Sequence, residues 1–172
     1  RLPPMDSLLY YRHLRRHSPA EYGAYFSFEW GAIGSVSPEL FLKFSDGHLE
    51  THPIKGTRKR GRTPEEDQEI LKELMESPKE DAELRMITDL WRNDLARVAE
   101  GVQVPAARRL DGWKHLFHTS AWIQARLRSG LDVLDVLKNT FPGGSITGAP
   151  KYRTIKILDS LECSGEMPSQ TP

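Results

Sequence analysis

Leu40-Phe-Leu-Lys-Phe44, Ser45-Asp-Gly47, His48-Leu-Glu-Thr51 and Pro53-Ile-Lys-Gly-Thr57 follow one another without any helical period. Two short β-prone runs flank Asp46-Gly47, a dipeptide whose residues accept positive φ and so close a two-residue hairpin. The stretch therefore predicts an antiparallel hairpin over 40–51, with Pro53–Thr57 where its second strand runs out into a loop. Upstream, Tyr22-Gly-Ala-Tyr-Phe-Ser-Phe-Glu-Trp30 is aromatic and partly alternating, so strand texture extends from Glu21 to Thr57. Before it, Leu8, Leu9, Tyr10 and Leu14 among Arg and His suit a helix ending near Ser18-Pro19.

Downstream of the Arg58-Lys-Arg-Gly-Arg62 loop the period changes. Thr63-Pro-Glu-Glu66 places a cap, a proline at the first helical position and a glutamate three beyond the cap, which starts a helix running to about Glu76. Ser77-Pro78-Lys79-Glu80 repeats the device and opens a longer helix to about Ala99, ended by Gly101. Its apolar positions Leu84, Ile87, Trp91, Leu95 and Val98 recur at the helical period. Val102–Val104 and Lys114–Leu127 read as strands, Leu131–Thr140 as a short helix, and Ala149–Leu161 as a last helix. Residues 164–172 have the texture of an unstructured tail, leaving 1–163 as one domain. Helix, strands, helices, strands, helices is the order of an α+β domain rather than of regular βαβ units.

At 172 residues the chain is long enough for one domain with a real core. Lys+Arg and Asp+Glu both total 24, a balance that argues against nucleic acid or an anionic membrane surface as partner. Hydrophobic residues make up 38% and mean hydropathy is -0.55, polar for a folded domain, as in a piece cut from a larger one. A single cysteine, Cys163, excludes a disulfide framework and a multi-cysteine metal site. No apolar run reaches the roughly 18 residues of a membrane span, and no start resembles a signal peptide. A cytoplasmic setting is expected.

Four places could carry chemistry. Gly56 lets the backbone approach a ligand, and the Gly56 and Thr57 amides with the Thr57 hydroxyl could hold a carboxylate. Lys55 beside them is either a solvated turn lysine, an anion partner, or, if desolvated, a nucleophile. Glu80 and Glu83, three apart on a helix, share a face and could meet one hard cation such as Mg2+, although Glu80 also has a capping role. His118 in its strand is either a general acid/base or a hydrogen-bonded core residue. Phe141-Pro-Gly-Gly-Ser-Ile-Thr-Gly-Ala-Pro-Lys151 is a turn into a helix start suited to an anion, and its spacing does not match a phosphate-binding P-loop. Asp89, Arg92 and Asp94 are assigned ordinary ion pairs.

Taken together, Ser37-Pro-Glu39, Pro53-Ile-Lys-Gly-Thr57, Ala82-Glu83 before Met86-Ile-Thr-Asp-Leu90, Arg92-Asn-Asp94 and Phe141 through Lys151 resemble the chorismate-utilising enzymes. The resemblance runs from about Ser37 to Glu162 and is nearest to the aminodeoxychorismate synthase branch, component I. Lysine before the Gly-Thr pair is typical of that branch, where anthranilate synthases carry alanine. It implies part of the chorismate-binding enzyme fold, antiparallel sheets flanked by helices. It also implies Lys55 as a nucleophile toward chorismate C2, Glu39 assisting proton transfer, and ammonia from a glutamine amidotransferase subunit or domain. Gly56 and Thr57 would hold a substrate carboxylate. Glu83 matches a Mg2+ ligand, Glu80 its water-mediated or outer neighbour, and Ser145 a residue near the ion.

Alignment backward from Phe141-Pro-Gly-Gly-Ser145 puts the family histidine on His118, whereas His115-Leu116 imitates the string better but needs an insertion. The residues after His118 depart from the family pattern. The chain also lacks the family's large N-terminal portion and its C-terminal segment, including further metal glutamates. A complete 172-residue product is therefore expected to turn over little by itself. A fragment would have an enzyme as its parent; the other readings are an anthranilate synthase component I, a lyase against which Lys55 argues, and a non-catalytic chorismate-binding remnant.

Overall fold

The structure is a computed structural model that describes residues 6–162, so the expected tail lies outside the described residues. The chain divides into two compact units, one ending at Leu40 and one starting at Phe41.

In the first unit α1 (Ser7–His17) is capped by Asp6, whose carboxylate accepts from the Leu8 and Leu9 amides at 2.9 and 3.2 Å. Arg15, Arg16 and His17 occupy its last turn, where positive charge suits the helix dipole. β1 (Tyr22–Phe28) and β2 (Gly31–Ser37) form an antiparallel hairpin. Buried Tyr11 lies against it. A Cβ at Gly34 would sit 3.1 Å from the Tyr11 ring, so that position stays a glycine to admit it. Glu39 lies at the bend after β2, where the Ser37 hydroxyl and the Glu39 backbone bond each other at 3.2 Å.

The second unit is built on a five-stranded antiparallel sheet. β3 (Leu40–Ser45) and β4 (His48–His52) are the expected hairpin, with positive φ at both Asp46 and Gly47. The strand does not then run out into a loop. After Pro53 it resumes as β5 (Ile54–Lys59), and β4 and β5 pair in line along the same edge of β7 (Leu116–Leu127). Pro53 interrupts the ladder but keeps its carbonyl in play, accepting from the Ala121 amide at 3.1 Å.

β6 (Ala99–Gly112) covers the other edge of β7, far longer than the expected 102–104. As an edge strand it tolerates Pro105, which needs no ladder donor there. Gly101 does not end the helix. It sits inside β6 at φ +61, where the register slips between Glu100 and Gln103, and the helix stops at Ala96.

α2 (Pro64–Glu76) and α3 (Pro78–Ala96) begin at the expected caps, with Thr63 and Ser77 hydroxyls accepting from the amides three residues on. The α3 stripe is the core: Ile87, Trp91, Leu95 and Val98 bury with Leu49, Ile123 and Ala125 of the sheet and Val136 of α4 (Val133–Thr140). Each fully buried aliphatic contributes about 1.5–3 kcal/mol. The expected last helix stands as α6 (Lys151–Leu161), preceded by a short turn of helix, α5 (Gly144–Thr147), inside the Gly-Pro-rich stretch.

Asp94, expected in an ordinary ion pair, forms one, but a buried one. Its carboxylate bonds the Lys151 ammonium, which also donates to the Thr140 carbonyl at 2.9 Å. The lysine closing the Gly-Pro-rich motif thus clamps α6 to α3 and to the end of α4.

Candidate active site

Alternation along β7 sends Phe117, Thr119, Ala121 and Ile123 to one face and His118, Ser120 and Trp122 to the other. β5 lies against it with Lys55 opposite Thr119 and Thr57 opposite His118, and a bulge at Gly56 absorbs the extra residue. Gly56 takes φ +77, a left-handed conformation that favours glycine. The bulge holds the Lys55–Thr57 backbone in place while the Thr119 hydroxyl donates to the Lys55 carbonyl. The Lys55 side chain is half-buried, and its ammonium has no hydrogen-bond or ion-pair partner among the described residues.

Glu80 comes to the same place from α3. A Cβ on Gly56 would lie 3.0 Å from Glu80 Oε2 and 3.1 Å from Leu74 Cδ1. Substituting Gly56 with Ala therefore meets both a strained, left-handed φ and a crowded contact. An expected loss of about 2 kcal/mol or more should appear as a lower urea midpoint at unchanged m. A midpoint equal to wild type would show that the bulge is not as described.

The Glu80 carboxylate does not reach back to its cap. It pairs with Arg58 at 3.1 Å, and Arg58 also meets Glu73 at 3.1 Å. Glu80 first and then Glu73 hold the Arg58 guanidinium still more firmly charged than usual. Glu83, one turn on, is 41% exposed, and its nearest cation is Lys79 at 3.9 Å.

Two carboxylates are the donor type a hard cation takes, but Mg2+ asks for six oxygens. Among the described residues no three His, Cys, Asp or Glu side chains gather to hold an ion. Glu80 and Glu83 therefore do not by themselves make a metal site.

His118 is buried at 4% exposure and His115 is exposed in the β6–β7 turn, where its carbonyl accepts from the Arg60 amide at 3.1 Å. Trp113 Nε1 donates to His118 Nε2 at 3.1 Å. Burial pushes the His118 pKa below its ordinary 6.5, and Asp111, paired with it across β6–β7, pulls the other way. Asp111 is itself held by the Ser120 hydroxyl and by Arg109 at 3.1 Å.

The β6–β7 hairpin thus gathers Asp111, Trp113 and Ser120 around His118; Ser120 shares the His118 face within the expected 114–127 strand, whereas Asp111 and Trp113 lie in 105–113, to which no element is assigned from the sequence. The available signal was the alternation of Val102, Val104 and Ala106 through Pro105.

Ser145 is half-buried in α5, and α5 sits on α3 where a side chain at Gly144 would overlap Leu90. Glu39 belongs to the first unit. The second unit therefore carries Lys55, Gly56, Thr57, Glu80 and His118 on adjoining elements: Glu80 approaches Gly56, Lys55 lies opposite Thr119 and Thr57 opposite His118, on the other face of β7, with Glu83 one turn along α3. No helix among the described residues is long and apolar enough to cross a membrane.

The chain is 44% identical over 154 residues to anthranilate synthase component 1 of Aquifex aeolicus (strain VF5), covering 88% of this chain and 31% of that protein. It is 43% identical over 154 residues to aminodeoxychorismate synthase component 1 of Klebsiella aerogenes, covering 88% and 34%. Its fold superposes on the crystal structure of anthranilate synthase component I from Streptococcus pneumoniae TIGR4 with a TM-score of 0.82 at 32% identity, covering 93% of this chain and 35% of that one. The chain thus spans about a third of the length of these relatives. A profile of chorismate binding enzymes matches residues 2–165, almost the whole sequence, and the chain belongs to that family.

Proposed function

We propose that the protein carrying this chain is an aminodeoxychorismate synthase component I, converting chorismate and ammonia to 4-amino-4-deoxychorismate. The observation that supports this reading is Lys55, an amine on a bulged strand with no partner among the described residues, directly before a Gly-Thr pair whose backbone the bulge fixes. Relatives of nearly equal identity carry both names, so overall similarity does not separate the two activities, whereas this one residue bears on the chemistry.

Lys55 Nζ, deprotonated, adds to C2 of chorismate as the ring double bond shifts and the C4 hydroxyl departs as water, with Glu39 supplying the proton. Ammonia then attacks C4 and expels the lysine amine from C2, restoring the ring unsaturation. The sum is chorismate plus ammonia giving 4-amino-4-deoxychorismate plus water. Thr57 and the Gly56 and Thr57 amides would hold a substrate carboxylate, with Ser145 near it. His118 would carry a proton at its basic nitrogen.

Mg2+ belongs to this proposal as the ion that would neutralise a substrate carboxylate, with Glu83 and Glu80 among its oxygen donors. A glutamine amidotransferase subunit or domain would deliver the ammonia. We place the protein in the cytoplasm and in the supply of para-aminobenzoate for folate.

The test is product analysis by mass spectrometry with chorismate, Mg2+ and ammonium. 4-Amino-4-deoxychorismate is the expected product. Anthranilate with pyruvate would move the protein to the other branch, and no product from the demonstrably folded whole protein that carries this chain would mark a non-catalytic remnant.

A further inference from the structure

We propose that Trp113 is a positioning residue for His118: its indole N–H fixes the imidazole as the neutral tautomer with the proton on Nδ1, leaving Nε2 as the basic nitrogen. An indole nitrogen can only donate. A ring nitrogen that accepts from it at 3.1 Å must carry a lone pair, so the remaining proton of a neutral imidazole sits on Nδ1. An imidazolium would set two N–H groups face to face at that distance.

The surroundings agree with this. β6 brings Asp111, tied to Arg109 and to the Ser120 hydroxyl. β5 brings uncharged Thr57, flanked by Lys55 and by an Arg58 already engaged with Glu73 and Glu80. β7 itself adds Ser120, and the turn adds Trp113. Among the described residues Asp111 is the carboxylate opposite His118, and it is already engaged by two other donors, while burial opposes protonation.

Because the Trp113 indole N–H occupies the Nε2 lone pair, the same contact also bears on when that nitrogen can meet a substrate. In the proposed reaction the indole must release Nε2 before it can take a proton. The role for proton transfer rests on the proposed function, whereas the tautomer does not.

Nitrogen NMR of the folded chain labelled in its histidines tests the assignment. His118 should show a pyrrole-like Nδ1 and a pyridine-like Nε2, with a titration midpoint below 6.5. Trp113→Phe keeps a ring and removes the donor. It should blur the tautomer preference and raise the midpoint by about half to one pH unit, the size of one neutral hydrogen bond. In turnover, the acid limb of the pH profile should move up by the same amount. Wild-type His118 protonated on Nε2 would overturn the proposal without any variant, as would a folded Trp113→Phe protein with tautomer and midpoint unmoved. If the tautomer behaves as stated but no aminodeoxychorismate forms, the functional reading fails and this one stands.

Discussion

Replacing Lys55 with Ala is expected to lower the rate of aminodeoxychorismate formation by on the order of 10³-fold or more, with ammonium as nitrogen source and chorismate saturating. Removal of a covalent nucleophile in a cooperating site commonly costs that much or more. The loss should fall on kcat rather than on chorismate binding, because the lysine acts in the transition state and the carboxylate contacts lie in the neighbouring backbone. Stability should change little. Lys55 is half-buried and its ammonium has no partner among the described residues, so its removal breaks no ion pair there and leaves the Thr119 bond to the Lys55 carbonyl intact. Steady-state kinetics beside a urea titration separates the two effects. A variant that makes product at the wild-type rate would remove the nucleophile from position 55.

The second large effect concerns folding. Asp94→Ala should strand the Lys151 ammonium among buried groups, and Lys151→Ala should strand the Asp94 carboxylate. Side-chain exposures of 15% and 6% put both charges in the regime where losing one partner costs about 3–5 kcal/mol. Each single variant is expected to lose that much in urea unfolding. The double variant Asp94→Ala/Lys151→Ala should lose clearly less than the two singles added together, because neither charge then remains unpaired. Additive losses would show that the two side chains do not depend on each other. The prediction also explains why the Phe141–Lys151 motif ends in lysine: α6 shows no side-chain cap bond at its start, and this clamp ties its first turn to α3.

What could be read from the chain alone followed the strength of local signals. The caps at Thr63 and Ser77 and the stripe Leu84–Val98 determine α2 and α3 because capping and apolar period are local, and both helices stand where expected. Asp46-Gly47 is equally local. β6 is not: its Arg108, Arg109 and Asp111 look like a solvated connection until β7 lies beside them, and Pro105 is acceptable only because the strand is an edge.

Gly101 reads from the sequence as a helix stop and Gly56 as a loop glycine, yet both sit at strand irregularities, because a bulge depends on the register of two strands, which no single stretch reveals. The candidate site divides the same way. Lys55, Gly56 and Thr57 are adjacent in sequence, and their motif was legible. Trp113 and Asp111 reach His118 only through the hairpin register, and Asp94 meets Lys151 across 57 positions.

The most direct measurement traps the reaction before nitrogen arrives. The protein is mixed with chorismate and Mg2+ in the absence of ammonia, quenched, digested and weighed peptide by peptide. The account predicts a peptide containing Lys55 heavier by chorismate less one water, with the modification lost when ammonium is added before the quench. Aminodeoxychorismate formed at full rate while that peptide never gains mass at any quench time would contradict it.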